Sequence, residues 1–163
     1  MQRREPMNSE LHQLAKTADL GSEARRLLRL RFGFACVQRV RHLLESPKAL
    51  EGLDTLGAFL EGKISSAALA LAEQRMAVVA GSHPGSRSID GTAHAAVSAT
   101  YAVFQAVAGR ALQAAEYAAY ATVYAYGAYA ITDPEAFAEE FAWQVSAFEA
   151  LLREEHPLPA RAG

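Results

Sequence analysis

Alanine fills 35 of the 163 positions, about one residue in five, and no other feature restricts the fold of this chain as strongly. Alanine loses no side-chain entropy in a helix and is the best helix former. So many alanines, with few β-branched runs, predict an all-α protein. Small side chains also let neighbouring helix backbones come near each other. At this length one domain with a proper core is the expectation. Hydrophobic residues at 51% against 21% charged are globular rather than disordered composition.

Helix punctuation divides the chain. Residues 9–18 read as a short amphipathic helix closed by Asp19-Leu20-Gly21. Ser22 is a good N-cap for a long helix from Glu23 to Glu45, with Leu27, Leu30, Phe34, Val37 and Leu44 as its buried stripe. Ser46-Pro47 pairs an N-cap with proline at the first helical position of a third helix, which Gly62 ends. Ser65 or Ser66 caps a fourth, with Leu69, Ala72, Met76 and Val79 on its stripe. A fifth helix spans about Gly91 to Ala108. Continued to Ile131 it would be ~60 Å long at about 1.5 Å per residue. Gly109 therefore predicts a tight antiparallel turn, with a kinked single helix as the alternative. A sixth helix holds most of the tyrosines, and Asp133-Pro134 caps a seventh with Phe137, Phe141, Val145, Phe148 and Leu152 inward. The expectation is a single-domain bundle of six or seven antiparallel helices over 22–155. Residues 1–21 form an N-terminal segment with a short helix, and 156–163 a frayed tail.

Charge and redox features bound the function class. The net charge of −2 forces no nucleic-acid partner, although residues 1–63 carry +3 and residues 64–163 carry −5. Arginine outnumbers lysine 13 to 3, which with the alanine excess reads as GC-rich coding and points to a bacterial source. One cysteine, Cys36, cannot form an internal disulfide, and the N-terminus lacks a signal-peptide apolar core; a cytoplasmic protein is expected. The stretch from Arg110 to Ile131 does not read as a membrane span. It contains Glu116, weakly hydrophobic alanines and tyrosines at mid-depth.

Five of six tyrosines lie between Tyr117 and Tyr129, in AAEYAAYATVYAYGAYA. At about 100° per residue, Tyr117, Tyr120 and Tyr124 share one face, and Tyr126 and Tyr129 point elsewhere. A helix apolar on nearly all sides is packed by neighbours, so core packing is the first reading and ligand stacking the second. Glu116 lies in this helix, and Arg41 falls inside the apolar stripe of the second helix. A buried charge needs a partner. Arg41 with Glu116, or with another internal acid, would make a structural ion pair, and Arg41 and Glu116 with Tyr117 and Tyr120 a polar pocket.

No catalytic constellation stands out. His12, His42, His83, His94 and His156 include no pair at i,i+4 and no Glu-x-x-His, so helical metal signatures are missing and no cofactor is expected. No nucleophile elbow or phosphate loop is present. The loop 81–91, which carries Arg87, reads as a flexible connection or a partner-contact loop. Asp133, Glu135, Glu139 and Glu140 at the start of the last helix suit its N-terminus, and with Trp143 they form a candidate docking surface for a basic partner.

The segments ACVQRVRHLLE (35–45), FLEGKISSAALALAEQR (59–75), AHAAVSATYAVF (93–104), AAEYAAYATVYA (114–125) and WQVSAFEALL (143–152) stand in an order with a known counterpart. Over roughly residues 27–152 the chain resembles the fifth numbered immunity-protein family of bacterial polymorphic toxin systems, an all-helical group. The least generic elements are the Cys-x-x-Arg-Val step, the EGKIS turn and the Trp-Gln pair. The resemblance implies a cytoplasmic protein that binds and neutralises a cognate toxin, with no catalytic residues. Two other readings stand beside it. One is a ligand-binding or enzymatic bundle around Arg41, Glu116, Tyr117 and Tyr120. The other is a homodimer that contacts through small-residue faces.

Overall fold

The computed structural model describes residues 7–82 and 92–155, and seven α-helices account for most of them. They are α1 (Ser9–Thr17), α2 (Arg26–Gln38), α3 (Pro47–Leu60), α4 (Ser66–Ser82), α5 (Thr92–Val107), α6 (Ala111–Tyr126) and α7 (Ala138–Glu155). No strand occurs among the described residues. The molecule is an all-α helical bundle.

The centre is the α5–α6 hairpin. Ala95, Ala99, Ala102 and Ala106 on α5, and Ala111, Ala114, Ala118 and Ala121 on α6, are all buried. Alanine lets these two backbones lie close, as the composition predicts. Gly109 makes the turn between them with φ +79°, a conformation costly for a residue with Cβ. Arg110 N–H donates to the Gln105 carbonyl and Gly109 N–H to Ala106, the paired bonds that close a helix C-terminus. The antiparallel turn is therefore present and the single kinked helix is not.

α2 lies against both helices of the hairpin and also meets α3 and α7. It comes close to α5 at Gly33, where a Cβ would stand 3.2 Å from Ala106 Cβ and 3.3 Å from Ala106 Cα. Phe32 meets Phe148 of α7 edge to face at 5.2 Å. α3 and α4 pair with each other and cover α5. α1 packs on α7, and its Leu11 and Ala15 join the main core. Within the expected N-terminal segment, α1 is thus part of the bundle. A satellite cluster of Ala119, Val123, Ala130 and Phe137 closes the far end of α6, where the chain forms two 3₁₀ turns (Ala128–Thr132 and Pro134–Phe137) before α7.

The long second helix expected over 23–45 is corrected. A 3₁₀ turn at Glu23–Arg25 leads into α2, which ends at Gln38, and a second 3₁₀ turn follows at Arg41–Leu43. The tightened winding joins Val40 to Val37 and Leu43 to Val40 by backbone hydrogen bonds. It keeps Val40 and Leu44 in the core while turning Arg39 and Arg41 outward to acids on α7 and α3. Elsewhere the punctuation agrees. Ser46 Oγ accepts from Ala49 N–H, Ser65 Oγ from Ala68 N–H and Asp133 from Glu135 N–H. Gly62 ends α3 at φ +76°.

Candidate functional site

The seam between α2 and α7 brings together residues that are far apart in sequence. Glu140 is the only buried carboxylate among the described residues, at 4% exposure. Its partner is Arg39, which donates Nε to Oε1 at 3.0 Å and Nη2 to Oε2 at 2.8 Å. A two-pronged guanidinium–carboxylate pair fixes orientation as well as charge. The hydrogen bond to Glu140 raises the Arg39 pKa above its ordinary value. The guanidinium carbon also lies 4.1 Å from the centre of the Trp143 ring, one turn along α7 from Glu140. Arg39 is thus clamped on two sides yet remains 37% exposed.

Beneath this surface sits Cys36, fully buried. Burial raises its thiol pKa well above the ordinary range, and the nearby Glu140 charge pushes the same way. A thiol held protonated and out of solvent is a packing group rather than a nucleophile. Gln144, next to Trp143, is buried and donates Nε2 to the Ala115 carbonyl at 2.8 Å. Its Oε1 accepts from Asn8 Nδ2 at 3.3 Å, and Asn8 also donates to the Phe141 carbonyl. These bonds tie α1, α6 and α7 together behind the seam.

The residues expected to form a docking surface take different places. Asp133, Glu135 and Glu139 are exposed and make no ion pair among the described residues. Glu140 and Trp143 belong to the clamp, Glu140 as an internal partner and Trp143 as a half-buried platform under Arg39. Arg87 lies outside the described residues. Arg39 itself was not singled out from the sequence. Its signal was present in the Cys-x-x-Arg-Val step, which lies at this seam together with the Trp-Gln pair.

The expected pairing of Arg41 with Glu116 is corrected. Arg41 bonds Asp54 on α3 at 2.6 Å, and both side chains are exposed. Once α2 ends at Gln38, Arg41 no longer sits on a helical stripe. Glu116 is exposed on α6. Tyr117 packs against Tyr101 at 5.4 Å, and Tyr120 stands edge-on to Phe137 at 5.5 Å. Tyr124 stacks on His94 at 4.9 Å, and Tyr126 is 82% exposed. The four residues of the expected polar pocket do not converge.

A different concavity of about 630 Å³ runs between α3 and α4. Gly52, Met76, Val79 and Ile64 give it an apolar floor, and Lys48, Glu51 and Arg75 stand at its margin. It is a surface groove. Among the described residues no group of three or more His, Cys, Asp or Glu side chains could hold a metal ion, and no helix is long and apolar enough to cross a membrane. No family model, no curated protein and no solved structure matches the chain.

Proposed function

We propose that this chain is an immunity-type binding protein that neutralises a cognate toxin in the cytoplasm through the α2–α7 seam. The observation that carries the reading is the part-exposed Arg39 guanidinium, held in one orientation by Glu140 and Trp143. Arginine and tryptophan dominate binding energy at interfaces, and side chains already fixed lose little entropy on binding. Exposed Asp133, Glu135 and Glu139 lie on the chain leading into α7 and on its first turn. They would steer a basic partner toward the same region. The family resemblance supports this reading, and its least generic motifs supply Arg39 and Trp143.

The test is co-expression with the toxin encoded beside the gene. Wild type should co-purify with the toxin and restore growth. The exposed-site variant Asp133→Lys/Glu135→Lys/Glu139→Lys loses the Asp133 cap but should keep its helix content, bind less tightly and protect less. Absence of both complex and protection with the wild-type chain would overturn the proposal.

A further inference from the structure

Helix α4 carries two apolar stripes rather than one. Leu69, Ala72 and Met76 are buried in the core. A second set, Ala67, Leu71 and Val78, is exposed, Leu71 at 46% and Val78 at 70%. At about 100° per residue these three fall within roughly 40° of one another, a narrow ridge along the helix. Leu71 and Val78 also line the α3–α4 groove, so the ridge forms one of its walls. Outward-facing leucine and valine at helical spacing are normally covered by another element.

We propose that a second copy of this chain covers this face, with the two α4 helices antiparallel about a two-fold axis near Gln74 and Arg75. A two-fold contact requires one patch to complement itself. Two features meet that demand. The Leu71–Val78 wall of one copy can enter the groove of the other, and the reverse holds by symmetry, with each Leu71 across the axis from a Val78. The groove margin carries both signs of charge. Arg75, Lys48 and Glu51 make no ion pair among the described residues, so Arg75 of one copy can meet Glu51 of the other twice over. A strongly acidic or basic partner would find no single-signed surface there. The proposal is independent of the toxin-binding reading. α4 packs on α3 and α5, whereas the seam belongs to α2 and α7, so a dimer would leave two seams open.

Equilibrium sedimentation of the full chain tests this. Wild type at tens of micromolar should show twice the 17.5 kDa chain mass. Leu71→Glu/Val78→Glu alters only exposed positions and should give a monomer with unchanged helix content by circular dichroism. Glu51→Arg and Arg75→Glu should each weaken the dimer by roughly 10-fold or more, and the two changes together should restore it. A wild-type monomer would overturn the proposal and leave the groove to a helix of another protein, such as the toxin. A dimer that persists in Leu71→Glu/Val78→Glu would equally overturn it.

Discussion

At the residue scale the Arg39–Glu140 pair is asymmetric, and its two halves should respond differently to mutation. Glu140 is buried while Arg39 reaches solvent. Removing Arg39 strands a carboxylate in the interior, whereas removing Glu140 lets a long cation turn toward water. Breaking a fully buried pair costs about 3–5 kcal/mol. With Arg39 exposed by more than a third, solvent screening lowers this, and about 2–3 kcal/mol is expected for Arg39→Ala. Glu140→Gln should cost less than half as much, and urea unfolding of the two variants measures the difference. The exposed Arg41–Asp54 pair provides the contrast, since Arg41→Ala should leave the urea midpoint unchanged. Cys36 makes a pH-dependent prediction. Its folded pKa is raised above the unfolded value near 8.5, so its stabilising contribution is complete below that pH. The contribution is lost as pH rises from there toward the folded pKa, with a slope of up to ~1.4 kcal/mol per unit. Wild type should therefore lose more stability than Cys36→Ala between about pH 8 and pH 10.5 in paired urea titrations. An equal loss in the two proteins would show that the thiol is not the group responsible.

At the scale of elements, close approach and buried polar groups hold the helices in place. Gly33 lets α2 meet α5 where Ala106 backbone leaves no room for a larger group. Gly33→Val should cost about 1–3 kcal/mol through overpacking, while Gly21→Ala, with open space around it, should be near neutral by thermal melting. Gln144→Leu keeps the volume but removes the side-chain bonds to the Ala115 carbonyl and to Asn8, a loss of about 1–3 kcal/mol. Because Asn8 also caps α1, hydrogen exchange should show α1 amides deprotected before those of α6. Much of this scale was legible in the sequence. Helix ends at Ser46-Pro47, Gly62 and Gly109 announce themselves through residue types that only caps and left-handed turns favour. The early end of α2 was hidden because a 3₁₀ turn preserves the apolar spacing of Val37, Val40 and Leu44. That one misreading misplaced Arg41 and so suggested the wrong partner for Glu116. Glu140 was grouped with the exposed acids for a related reason. It lies in line with Gln144 and Phe148 at four-residue spacing, on a face that turns inward only because Arg39 and Ala115 offer polar partners there.

At the scale of the whole molecule the charge is divided, +3 over residues 1–63 and −5 over residues 64–163, because the basic residues are concentrated in the first part of the chain. Such a field governs encounter more than the strength of the final complex. Exposed acids on and before α7 would accelerate approach of a basic toxin, and the fixed Arg39–Trp143 feature would govern how long it stays. These roles separate kinetically. Each reversal in Asp133→Lys/Glu135→Lys/Glu139→Lys adds two charges, so the net charge moves from −2 to +4. Association at low salt should then slow by about 10-fold or more, and its dependence on salt should weaken or invert. Dissociation should change little, because charges at the rim act mainly before the complex forms. Trp143→Ala should do the opposite, hastening dissociation while leaving the salt dependence of association intact. Stopped-flow mixing over a series of salt concentrations reads both rates in one experiment. If the triple reversal left association unchanged, the acids would be a solvated face and the partner would engage the chain elsewhere.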